Sequence, residues 1–302
     1  MNFDHILLIG YGGPRNSEEV LPFLRTMAEG KNISEERLQM SARRYEAIGG
    51  ASPYHDEVIG FADRLGKTLR ECGIPLPVFV AMKNWKPFLA EVLAGIRQKG
   101  HRKGLAIILT AFPGAVAGAR YKESLKAAQV PGLEYVFVEG WYAHELFIEA
   151  QAEEVKKILD VLPEKERAAT PVVFTFHSLP AVTGQGSYEK EARETSALIA
   201  KLTGHANGFV AYQSKPLNAG GAWIGPDIVD VIGQTAKAGG KRVIVVPLGF
   251  FCDHVEVLYD LDHEARECAR AFGVEFLRAR TVIHHAKIIV MFQELIRQKL
   301  AA

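Results

Sequence analysis

Short apolar runs recur along the chain, and longer amphipathic stretches separate them. In the first half the runs are His5–Gly10, Val78–Met82, Leu105–Leu109 and Tyr135–Val138. In the second half they are Val172–Phe176, Gly208–Tyr212, Arg242–Val246 and Val274–Leu277. Runs this short, with β-branched and aromatic residues among them and no polar alternation, read as strands covered on both faces. Between them, Ser17–Met27, Glu57–Glu71, Pro87–Lys99, Glu145–Leu162, Glu189–Leu202, Asp227–Ala238, Val255–Ala271 and Ala286–Leu300 read as helices. Strand and helix alternate throughout, which predicts an α/β protein built on parallel sheets.

The strands divide into two sets of four. The seam is Pro163 to Pro171, with Glu164, Lys165, Glu166 and Arg167 between the prolines. The expected architecture is therefore two similar Rossmann-like domains, each with a four-stranded parallel sheet, facing each other across an interdomain cleft. Their spans are 1–162 and 163–302, with the last helix (286–300) crossing back onto the first domain.

Length and charge narrow the function classes. A chain of 302 residues can bury two full cores, and 36 basic against 35 acidic residues leave it nearly neutral. That balance gives no broad field for nucleic acid or an anionic membrane. No run approaches the roughly 20 apolar residues of a membrane span. Asp4 and His5 interrupt the first apolar run, which is too short for a signal peptide. Cys72, Cys252 and Cys268 are odd in number, widely spaced and without a CxxC pair, so a reducing cytoplasm is expected.

Candidate chemistry lies in the loops after strands, where ligands bind in open α/β sheets. Val172–Phe176 ends at His177, and Ser178-Leu179-Pro180 follows. The proline stops the strand and leaves one imidazole facing the crevice. An isolated histidine there is ordinarily a core residue satisfied by a carbonyl. A distant acidic stretch changes that reading. After Val246 the chain runs Pro247-Leu248-Gly249-Phe250-Phe251-Cys252-Asp253-His254-Val255-Glu256. If Val255 onward is one helix, Glu256, Asp260 and Glu264 share a face at i, i+4 and i+8. Solvated acids are common on helices, but these follow Phe-Phe next to a cleft. Buried acids need a cation or a proton, and carboxylates beside imidazole suit Fe(II) or Zn(II).

The other loops supply walls. Gly10-Tyr11-Gly12-Gly13-Pro14 matches neither GxGxxG nor a phosphate loop, and it presents Tyr11. Arg44 and Ser52, near a helix end at Gly49-Gly50, could hold a carboxylate. Thr110 to Tyr121 is small and apolar, fit for a greasy pocket or for a close-packed helix start. Tyr212 to Pro226 is a long loop carrying Trp223, with Asp227 at the head of a helix.

These stretches together resemble the ferrochelatase family. The resemblance rests on His177-Ser178-Leu179-Pro180, on Tyr45-Glu46-Ala47-Ile48-Gly49-Gly50-Ala51-Ser52-Pro53, on Tyr212-Gln213-Ser214, on Trp223-Ile224-Gly225-Pro226-Asp227, and on Asp253-His254-Val255-Glu256-Val257-Leu258-Tyr259-Asp260. It runs nearly end to end, in family order. It implies insertion of ferrous iron into a porphyrin held in the cleft, for haem biosynthesis, with no organic cofactor and Fe(II) as substrate. By position, His177 and Glu256 are the catalytic, metal-site pair. Tyr11, Arg44, Tyr45, Ser52 and Tyr121 fall where the family contacts porphyrin, and Asp260 and Glu264 resemble a second metal site. A downstream haem-pathway enzyme is the implied partner. Two positions depart from the pattern: Phe112 replaces a frequent histidine, and Ala28 an arginine. Tyr11 resembles the enzymes that use coproporphyrin III rather than protoporphyrin IX, although the sequence shows no surplus of arginines near the cleft. The alternatives are a cobalt or nickel chelatase of a sirohydrochlorin-type ring and a non-catalytic haem- or porphyrin-binding protein on the same fold.

Overall fold

The structure is a computed structural model, and it describes residues 3–128, 130–184, 186–205, 208–216 and 220–302. Of the long loop after Tyr212, residues Leu217, Asn218 and Ala219 lie outside the described residues.

Eight strands form two four-stranded sheets, all parallel. They are β1 (His5–Gly10), β2 (Val78–Met82), β3 (Lys103–Ile108), β4 (Glu134–Val138), β5 (Val172–His177), β6 (Gly208–Gln213), β7 (Arg242–Val246) and β8 (Glu275–Arg278). The first sheet runs β2-β1-β3-β4 and the second β6-β5-β7-β8. The two orders are the same, so the chain repeats one topology. In each sheet the connections reverse direction between the two central strands. That switch point opens a crevice beyond the carboxyl ends of β1 and β3, and of β5 and β7.

Burial follows position in the sheet. Central β1 is buried along its whole length, and β5 is buried until its last residue. The outer strands β2, β4, β6 and β8 are only partly covered. Ile6 and Leu8 of β1, with Phe174 and Phe176 of β5, face one continuous core that joins the halves. Leu7 and Ile9 face a separate core under Leu89, Leu93 and Leu125, and Val173 faces another under Ile228, Ile232 and Leu261.

Helices tie the halves together. Glu145–Val161, which follows β4, packs against Ser187–Thr203 beside the second sheet, and the last helix, Ala286–Ala301, packs against Glu145–Val161 and against Tyr54–Glu71 of the first half. Phe292 lies at their junction, with ring centroids 5.3 Å from Phe61, 5.2 Å from Trp141 and 6.0 Å from Phe251.

Besides the helix Gly114–Ala127, which settles the segment Thr110 to Tyr121 as a helix start, two departures from the sequence reading shape the site. Glu35–Ala47 is a helix, capped by Ser34, that pairs with the helix Ser17–Ala28. Its apolar contribution is small, with only Leu38, Ala42 and Tyr45 buried. The helix expected over Val255–Ala271 is three segments. An α-turn, Val255–Leu258, leads into a π-helix, Asp260–Ala265, and α-helix resumes over Arg266–Ala271. The Glu264 amide reaches back five residues to the Tyr259 carbonyl at 2.9 Å, which widens the turn.

Candidate active site

His177 ends β5 at the switch point of the second sheet. Ser178 holds the strand end: its amide donates to the Gln213 carbonyl at 2.8 Å and its hydroxyl to the Ile224 carbonyl at 2.8 Å. Tyr188 Oη donates to the His177 carbonyl at 3.2 Å. The ring's Nδ1 is bonded to the Ser178 carbonyl. A carbonyl can only accept, so Nδ1 carries a proton and Nε2 is the nitrogen offered to the cleft.

Glu256 comes from the other side of the same switch point. His254 caps the turn, its Nδ1 accepting from the Glu256 amide at 3.1 Å. Gln213, buried at the end of β6, donates through Nε2 to the Glu256 carbonyl. These bonds aim the carboxylate at His177, and Glu256 Oε1 lies 3.6 Å from His177 Nε2. Burial disfavours charge on the imidazole, but the Glu256 carboxylate and the Ser178 carbonyl outweigh it and hold the His177 pKa up at about 9. Burial alone would raise Glu256; the charge and hydrogen bond of His177 instead bring it down to about 2.

The first half supplies the facing wall. Tyr11 stands in the loop after β1, is 40% exposed, and donates its amide to Tyr54 Oη at 2.7 Å. Gly12, at φ +96°, lets this loop pass Trp85, whose amide nitrogen a Cβ would approach to 3.0 Å. Tyr45 and Tyr121 are buried. Burial first, and then the Glu256 charge, raises the pKa of Tyr45 and Tyr121, so both are neutral phenols near that carboxylate. Ser52 is buried beside Gly13, its Oγ accepting from the Tyr54 amide at 3.3 Å.

The acidic stripe is not one face. The π-turn sends Asp260 inward, 3% exposed, and leaves Glu264 outward, 51% exposed. Asp260 accepts from Arg44 Nη2 and from the Ser214 hydroxyl. Its pKa stands at about 7, raised chiefly by burial, with Arg44 pulling the other way. Arg44 also lies 3.7 Å from Glu264 and 4.7 Å above the Tyr259 ring. The carboxylate that Arg44 holds in this structure is thus the chain's own.

Gln213 and His254 position Glu256, and Ser214 holds Asp260. In the sequence, Gln213 and Ser214 stand out at the end of an apolar run and in the motif Tyr212-Gln213-Ser214, neither of which shows what they bond to. Phe112 is buried, its ring 5.0 Å from Phe176 and edge-on to it, behind β5. A groove of about 1030 Å³ along the β6 edge, lined by Arg193, Ala200, Phe209 and Gln234 among others, contains none of these site residues.

The ferrochelatase family model matches residues 4–300. The chain belongs to the ferrochelatase family. Among its relatives are the coproporphyrin III ferrochelatase of Mycobacteroides abscessus, 34% identical over 93% of this chain and 84% of that one, and the coproporphyrin III ferrochelatase of Mycolicibacterium vanbaalenii, 33% identical with 93% and 85% covered. The ferrochelatase of Rhodopirellula baltica is 31% identical over 99% of this chain and 86% of its own. Among solved structures, SirB from Bacillus subtilis with Fe3+ superposes with a TM-score of 0.60 over 98% of this ferrochelatase-family chain and 95% of its own, at 12% identity. CbiX, a terminal enzyme of siroheme biosynthesis, superposes with a TM-score of 0.56 over 97% and 98%, at 14% identity. At those identities the likeness is one of fold.

Proposed function

We propose that this chain is a metal-inserting lyase that places Fe(II) in coproporphyrin III during haem biosynthesis. The observation that carries the reading is the pair His177 and Glu256, held 3.6 Å apart at the switch point and reached by solvent. The names of the relatives at 34% and 33% identity support the choice of porphyrin.

Insertion exchanges two pyrrole N–H protons for one dication. When neutral, His177 presents an Nε2 lone pair that can take a pyrrole proton or hold the ion at hand-over. Glu256 stays ionised and offsets the metal's charge. Tyr11, Arg44, Tyr45, Ser52 and Tyr121 contact the macrocycle; edge contacts that bend it would expose its nitrogen lone pairs. The exchange involves no electron transfer, and we assign the reaction no organic cofactor. No helix among the described residues is long and apolar enough to cross a membrane, and the three cysteines are free thiols. We place the reaction in the cytoplasm, with its product passing to a downstream haem-pathway enzyme.

Anaerobic Fe(II) insertion tests the reading. Coproporphyrin III should be metallated faster than protoporphyrin IX, and faster than a sirohydrochlorin is by Co(II) or Ni(II). Faster protoporphyrin turnover would overturn the choice of porphyrin. Tight porphyrin binding with no insertion would leave a carrier instead.

A further inference from the structure

Far from the cleft, at the opposite end of β1, three side chains converge that iron insertion does not use. Asp4, His5 and His101 each place a ligand atom within 4.8 Å of the other two. His5 Nδ1 is 2.5 Å from Asp4 Oδ1, and His101 Nδ1 is 3.6 Å from the same oxygen. The two imidazole centroids are 5.3 Å apart.

The cluster is held from behind. The other carboxylate oxygen of Asp4 accepts from the backbone amides of Arg102 at 2.7 Å and Lys103 at 3.2 Å, which turns Oδ1 toward both rings. His5 is fully buried on a central strand whose other side chains are aliphatic. Its Nε2 meets Tyr135 Oη at 2.9 Å, and its ring lies edge-on to Phe79 and Tyr135. Gly104 makes the room, since a Cβ there would stand 2.4 Å from His5 Nε2. An isoleucine or leucine at position 5 would suit the sheet at lower cost than a buried polar ring.

We propose that Asp4, His5 and His101 bind a divalent transition-metal ion at a site distinct from the cleft. Two imidazole nitrogens and one carboxylate oxygen favour Zn(II), Co(II), Ni(II) or Fe(II) over Mg(II) and Ca(II). The separations of 2.5 and 3.6 Å bracket the ligand–ligand edge of about 3.3 Å that bonds of roughly 2.0–2.1 Å require in a tetrahedron. Binding displaces the proton between His5 Nδ1 and Asp4 Oδ1. The neutral ring has one proton, so the proton that leaves Nδ1 moves to Nε2, which donates it to Tyr135 Oη, the outer-shell bond that fixes a ligating imidazole. Asp4 and His101 are partly exposed, so the remaining coordination position faces water and the ion exchanges. The site stands roughly 16 Å from the Gly10 loop, the length of β1.

Co(II) alone is a sufficient probe, because imidazole and carboxylate ligation gives it a visible absorption. A His177→Ala/Glu256→Gln chain removes the cleft pair from the measurement, whatever that pair does. Equilibrium dialysis of this chain should find one Co(II) ion bound, with visible bands and a Tm raised by the metal. Adding His101→Ala should weaken binding at least tenfold and abolish both signals. His101 is at the surface, so an unchanged metal-free Tm confirms the fold. Asp4→Asn, which retains an acceptor for the two amides, should weaken binding as well. Equal Co(II) uptake with and without His101, or no uptake by the parent chain, overturns the site.

Discussion

Arg44, from the helix Glu35–Ala47 of the first half, donates to Asp260 on the π-turn of the second. The bond joins the walls of the cleft through a carboxylate that is almost completely buried. Arg44→Ala would leave that group without its cationic partner. Loss of about 1–3 kcal/mol is expected in urea unfolding at pH 8, where the carboxylate is ionised, and less at pH 5. The sign follows from the Asp260 pKa of about 7 against its ordinary 3.8. The folded state binds the proton more tightly than the unfolded state, so this group's contribution to stability falls as pH rises from about 4 to 7. Asp260→Asn should therefore gain on the parent chain over that interval. A pH-independent difference between them would show that Asp260 titrates normally.

The coupling of His177 to Glu256 sets the expected pH profile of insertion. With its pKa at about 9, His177 is largely imidazolium at neutral pH and must lose that proton before Nε2 can act. The rate kcat/KM should rise with pH along a limb near 9. Glu256→Gln removes the charge that holds the proton, so the limb should move down toward the ordinary value of 6.5, with the maximum rate reduced by roughly 10²–10⁴. His177→Ala should remove the limb altogether while porphyrin binding persists. Stability carries the same signature. His177's contribution is complete below pH 6.5 and lost through 9, whereas that of Glu256 is complete above 4.5 and lost toward 2. A limb unmoved by Glu256→Gln would assign the titration to another group.

The parts of this site that could be read in the sequence are those set by burial pattern. A strand apolar on both faces and cut by Ser178-Leu179-Pro180 puts His177 at a sheet end, and the structure has it there. The π-turn gave no such signal. Glu256, Asp260 and Glu264 keep α-helical spacing in the chain, and only the tertiary bonds of Asp260 to Arg44 and Ser214 accompany the wider turn that separates them. Of the helix Glu35–Ala47 the sequence shows only the end, at Gly49-Gly50, for a related reason. It packs against the helix Ser17–Ala28 and buries too few residues to show a stripe, even though Ser34 caps it as sequence rules would ask. Gln213 could not be found from composition, because its role depends on where β6 ends relative to Glu256.

Backbone room at the first loop is a separate requirement. Gly12 sits at φ +96° with Trp85 against it, so Gly12→Ala both strains the turn and pushes on the Trp85 backbone. A destabilisation of at least about 1 kcal/mol is expected from the left-handed conformation alone. If Tyr11 is held in place by this turn, porphyrin affinity should fall along with stability. Thermal unfolding and porphyrin fluorescence titration read the two effects apart, and full affinity in a destabilised chain would separate Tyr11 from the turn.

Phe292 links the last helix to the catalytic loop. Its ring touches Phe61 of the first half, Trp141 at the crossover and Phe251, which lies five residues before Glu256 in the chain. The side chain is fully buried, so Phe292→Ala should cost about 3–5 kcal/mol in unfolding free energy. The cavity would form directly behind Phe251, and the segment running on to His254 and Glu256 would lose its backing. Insertion should therefore slow under conditions where the variant remains folded, with kcat affected more than KM for porphyrin. Phe292→Leu fills most of the space and should recover most of both losses. If Phe292→Ala lowers stability as expected but leaves kcat at the parent value, then the cap turn at His254, not the aromatic cluster, fixes Glu256.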